Sequence, residues 1–251
     1  CICAEGRFSY QLFSGVPIAA PAEAIAKARE LIAAAKKVAI IVSPMLPVED
    51  LYAAVRLGRE THSEIYYPIS AADNATSRKM GKLAGEANVA LLHRLGVKPM
   101  GLAGVAADCL IVVEAHVTAA QTGNAKVIAI GRYSPGVEPA VQIAAADPMQ
   151  TSGAFLNRDG DLAILQAAAV GQGQGTSVRD ILTTMSASGH RDLATLRKEL
   201  AGEVPELAVL NQLPAGRLVK SALPADIATV TPDSRGTAFS HNMKAMGLNW
   251  R

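Results

Sequence analysis

The run Lys36-Lys37-Val38-Ala39-Ile40-Ile41-Val42-Ser43-Pro44 does most to limit what this chain can fold into. Its apolar, largely β-branched side chains follow one another without alternation and stop at a polar turn. A short continuous run of this kind reads as a strand buried on both faces, which is what a parallel sheet covered by helices requires. The flanks supply the helices. Ile25, Ala28, Ile32 and Ala35 fall on one stripe of Pro21 to Ala35, and Val48, Leu51, Tyr52 and Val55 do the same within Pro47 to Glu60. Pro47 stands near the first helical position, where a missing N–H is harmless. Cys109 to Val113 and Lys126 to Ile130 repeat the apolar theme. The expected core is an α/β, Rossmann-like layered domain with a mainly parallel sheet.

Half of the 251 residues are hydrophobic but only 4% are aromatic, so alanine and aliphatic side chains must do the packing. A chain of this length can bury a substantial core in one or two domains. Its 24 basic and 22 acidic residues leave a net charge of +2, which gives no electrostatic footprint for nucleic acid or an anionic membrane. No window approaches the roughly 18–20 apolar residues of a membrane span, so a soluble chain is expected. Cys1, Cys3 and Cys109 do not make a disulfide framework, which favours a reducing compartment. The opening at Cys1, without methionine or a signal-like segment, reads as a processed or truncated piece, with a lipidated cysteine as the lesser alternative.

Three regions are expected. Residues 1–20 mix cysteine, glycine, charge and aromatics, unlike the alanine-rich remainder. Residues 21–170 form the α/β domain: after the first strand and its two helices come a short strand at Glu64 to Tyr67, a polar surface connection from Asp73 to Gly85, and a helix from Glu86 to Leu95 stopped by Gly96. Lys98 to Ala107 reads as an exposed glycine-rich loop. Val141 to Ala145 is a short strand or buried turn, and Asp159-Gly160 marks a tight turn between extended pieces. Gly171-Gln172-Gly173-Gln174-Gly175 reads as a linker. Residues 171–251 then hold a helix at Ser177 to Ser186, capped by Ser177, and another at Asp192 to Ala201, capped by Asp192 and stopped by Gly202. Periodicity fades after Pro205, and Thr231 to Arg251 is expected to be an extended tail.

Few residues carry chemistry by themselves. Cys1-x-Cys3 is too closely spaced and too short of partners for a self-contained metal site, and Cys109 reads as a small hydrophobe in a strand. His62, His93 and His190 read as solvated, and His241 lies in the tail. His116 follows a strand, where parallel-sheet folds place ligand-binding residues. Gly101-Leu102-Ala103-Gly104 and Gly171 to Gly175 lack the strand-to-helix setting of a nucleotide site, and Ser43-Pro44 lacks the glycines that let a phosphate approach. Glu49-Asp50 reads as a complement to a helix dipole.

Cys3-Ala4-Glu5-Gly6-Arg7-Phe8-Ser9-Tyr10 resembles the cysteine-x-x-glycine-arginine-phenylalanine stretch of the molybdopterin oxidoreductase superfamily. Glu5, where many molybdenum enzymes have lysine, makes it look more like the large iron–sulfur subunit of bacterial NADH:quinone oxidoreductase, complex I. Later pieces are similar to the family in order: Val38 to Tyr52, Gly96 with Asn88 to Pro99, Ala107-Asp108 with Leu110 to Val113, and Asp147-Pro148 through Gly153-Ala154-Phe155-Leu156-Asn157-Arg158-Asp159-Gly160. The resemblance implies that Cys3 is the last ligand of a [4Fe–4S] cluster whose other cysteines must come from outside these residues. It implies no catalytic residue and no cofactor within the chain, since no interior cysteine suits a molybdenum ligand. The implied function is a degenerate, cofactor-free scaffold domain of a complex I-like NADH dehydrogenase. It would support electron transfer to quinone among partner subunits, peripheral to the inner face of the cell membrane, on the cytoplasmic side. The alternatives are part of a working molybdopterin oxidoreductase of formate dehydrogenase type, and a free-standing small-molecule-binding domain with its ligand near Ser43 and His116.

Overall fold

The computed structural model describes residues 22–68, 88–100, 104–132, 135–146, 151–156, 161–166 and 176–212, and the backbone of 218–220. The expected connection at Asp73 to Gly85, the glycine linker Gly171 to Gly175, the turn Asp159-Gly160, the opening residues and the tail lie outside them.

The apolar run within Lys36 to Pro44 is strand β1, Val38–Val42, and all five of its residues are buried. Helix α1, Ala22–Ala34, precedes it and α2, Val48–Glu60, follows it. The chain continues through β2, Glu64–Pro68, α3, Val89–Arg94, and β3, Lys98–Met100. It then crosses to β4, Cys109–Val113, the short helix α4, Ala119–Thr122, β5, Lys126–Ile130, and β6, Val141–Ile143. These six strands form one sheet in the order β3-β2-β1-β4-β5-β6. Every neighbouring pair is parallel, with Ile40 opposite Ile65 on one side and Ile111 on the other. The fold is therefore α/β and Rossmann-like. The chain builds outward from β1 to β3 and then returns to place β4 on β1's other side, so the strand order reverses between β1 and β4.

Alternation decides what each face buries. Ile40, Val42, Ile111, Val113, Ile128, Ile130 and Ile143 share one core with Leu51, Val55 and Leu57 of α2. Ala39, Ile41, Leu110, Val112 and Val127 form a smaller core with Met100, Val105 and Val117. At the amino edge Asp108 ties β1 to β4, since its Oδ2 accepts from the backbone N–H groups of Lys36 (3.1 Å) and Lys37 (2.9 Å).

A second sheet of three antiparallel strands comprises β7, Gly153–Leu156, β8, Asp161–Leu165, and β9, Leu218–Lys220, in that order. Ala154, Leu156, Leu162 and Ile164 bury one of its faces in the main core. Helices α5, Val178–Met185, and α6, Leu193–Glu203, followed by a 3-10 turn over Pro205–Asn211, add Ile181, Leu182, Leu196, Leu200 and Leu207 to the same core. Ser177 and Asp192 cap their helices, each accepting a backbone N–H, from Asp180 (3.2 Å) and Thr195 (2.7 Å). Among the described residues no helix is long and apolar enough to cross a membrane.

Three expectations need correction. Lys98 to Met100 is strand β3 rather than loop; Pro99 is tolerated because β3 is an edge strand, where a missing N–H breaks no ladder. Gly202 does not stop α6, which runs through it to Glu203. The stop is Pro205, which drives Val204 before it out of helical geometry, to φ −123° and ψ 81°. The region after Pro205, where periodicity fades, still contributes β9. Gly96 does end α3 as expected: its N–H donates to His93 O and that of Val97 to Leu92 O, the paired bonds of a Schellman stop.

Candidate functional site

The carboxyl edge of the parallel sheet is where this architecture holds ligands, at the point of strand-order reversal. Here β1 leads into α2 through residues 43–47. Ser43 extends the β1–β4 ladder by donating its N–H to Val113 O at 2.9 Å, and its Oγ accepts from Met45 N at 3.3 Å. Pro47 is the cap residue of α2, and its carbonyl accepts from the N–H groups of Asp50 and Leu51, both at 3.0 Å.

In many α/β proteins the N-terminus of such a helix binds phosphate, since its free N–H groups and dipole favour an anion. This one is filled by the chain itself. Glu49 is wholly buried, and its Oε2 accepts the N–H of Ala154 in β7 at 2.8 Å while its Oε1 accepts from Arg197 Nε of α6 at 2.7 Å. Asp50, equally buried, faces Arg179 of α5 at 3.2 Å, and the same nitrogen of Arg179 donates to Ser152 O at 2.8 Å. Burial raises the Asp50 carboxyl, the Arg179 charge and hydrogen bond pull it down and Glu49 lifts it further; burial wins, and Asp50 is pushed up to about 7. Gly153 lies so close over the turn that a Cβ there would come within 2.5 Å of the Pro47 ring.

Asn88 completes the closure. It is buried in a left-handed conformation, φ 63°, which asparagine tolerates better than most residues. Its amide donates to Pro44 O (2.8 Å) and Leu46 O (2.7 Å), and its side-chain oxygen accepts from Leu156 N (2.7 Å). Its own N–H donates to Leu156 O at 2.7 Å. One side chain thus staples the end of β7 to the turn after β1.

Glu49 and Asp50 do sit in the first turn of their helix, but the dipole reading misses their burial and their arginine partners. The sequence gives little sign of the Asn88 staple beyond an asparagine standing just before a short apolar helix.

On the other side of the reversal, the turns after β4 and β5 interlock. Glu114 adopts φ 47°, donates its N–H to Ile130 O, and accepts the N–H of Arg132 on Oε1 at 2.9 Å. His116 is half-buried, and its ring lies against Gly136, where a Cβ would meet Nε2 at 2.3 Å and Val117 O at 2.6 Å. Ser43 and His116 thus follow neighbouring strands, as the ligand-binding alternative requires, but His116 is wedged between turns. Gly136 has φ 87°, so Gly136→Ala is expected to displace the His116 ring and cost about 2–3 kcal/mol through backbone strain and overpacking. Urea unfolding checks the loss, and a shifted His116 ring resonance checks its cause.

Other candidates fall elsewhere. His93 is half-buried rather than solvated: its Nε2 lies 2.7 Å from the Tyr67 hydroxyl, and burial lowers its pKa. His62 and His190 are exposed as expected. Cys109 is buried in β4 and its thiol is pushed up to about 11 by burial, so it packs as a hydrophobe. Cys1, Cys3 and His241 lie outside the described residues, as does the glycine-rich piece before Gly104. Among the described residues no three His, Cys, Asp or Glu side chains gather as a metal-binding group.

No protein-family model matches the sequence, and no curated protein matches it. Among solved structures, an enzyme described as thiamin diphosphate-dependent, isolated from Mycobacterium smegmatis, is similar at a TM-score of 0.36 and 15% identity. The likeness covers 67% of this chain and 29% of that one, so the chain spans under a third of its length.

Proposed function

We propose that this chain is a scaffold domain of a complex I-like NADH dehydrogenase, a degenerate relative of the molybdopterin oxidoreductases that performs no chemistry itself. In this reading Cys3 closes a [4Fe–4S] cluster whose other ligands come from outside these residues, and electrons pass toward quinone through clusters carried by neighbouring domains. The assembly lies on the cytoplasmic side, against the inner face of the cell membrane.

The resemblance in residues 3–10 and in the ordered later pieces motivates the family. The observation that carries the scaffold reading is the filled turn after β1. A phosphate-bearing cofactor at that helix N-terminus would have to displace β7, break the Asn88 staple and face the buried Glu49 and Asp50 carboxylates. These residues do not fit a pyrophosphate there. What remains is a set of elements packed on one core, whose outer surfaces can be used by neighbours.

The test is purification of the tagged chain from cells that make it naturally. The expected result is recovery of an NADH-oxidising activity at constant ratio to the chain through successive columns. Recovery of the chain as a monomer, with no NADH-oxidising partner, would contradict the proposal and favour the small-molecule-binding alternative.

A further inference from the structure

We draw no further inference here: the strongest candidate, the apolar patch of Met45 in the turn after β1 and Leu165 at the end of β8, which the close seating of Gly153 on Pro47 brings to one corner of the fold, carries none because nothing in the structure shows what covers it.

Discussion

Asn88→Ala is expected to lower folding stability by about 4–5 kcal/mol, the largest effect of any single side chain described. Truncation leaves the Leu156 N–H and the Pro44 and Leu46 carbonyls without their partner in a buried place. Each orphaned buried group costs about 1–3 kcal/mol, and water entering the gap keeps the sum below the maximum. The left-handed backbone at φ 63° adds about 1 kcal/mol for alanine. Asn88→Gly separates the two causes, because glycine relieves the backbone but restores no hydrogen bond; it should recover only about 1 kcal/mol. Urea unfolding followed by circular dichroism reads all three proteins. A loss below about 1 kcal/mol in Asn88→Ala would mean that the staple between β7 and the first turn holds little.

The second large effect is Arg197→Met, at about 3–5 kcal/mol, because a buried carboxylate loses its cation. Glu49 is 0% exposed and would keep only the Ala154 N–H at 2.8 Å. The methionine fills much of the arginine's volume, so the loss reports charge rather than space. Glu49→Gln with Arg197→Met should be far milder than the sum of the two single changes, since the double variant buries no unpaired charge. Additive losses in that cycle would show that Arg197 and Glu49 act separately.

The sheet is legible because its central strands are the most apolar pieces of the chain. Val38–Val42 and Cys109–Val113 are buried throughout and Lys126–Ile130 is buried from Val127 on, so each shows an unbroken apolar run, and Pro47 marks where α2 begins. Lys98-Pro99-Met100 does not, because only Met100 is buried and an edge strand carries no two-sided apolar signal. Gly202 misleads because a glycine stops a helix only where the chain must turn left-handed, and here nothing requires it before Pro205. The closed turn is the least readable feature. Glu49 and Asp50 look like ordinary first-turn acids, and their partners Arg197 and Arg179 stand 148 and 129 residues away. Nothing local distinguishes an arginine that will meet a buried carboxylate from one that will meet water. Asn88 works through backbone groups of two other segments, which no spacing in its own neighbourhood records.

The filled turn after β1 is what the scaffold reading rests on, and cofactor content tests it most directly. The assembly purified through this chain should be oxidised in acid, its pterin fluorescence read, and its molybdenum measured per copy of the chain. Neither pterin nor molybdenum is expected in stoichiometric amount. One pterin or one molybdenum per chain would contradict the scaffold reading, because the β7 segment, Asn88 and the two buried carboxylates would then have to stand aside for a ligand.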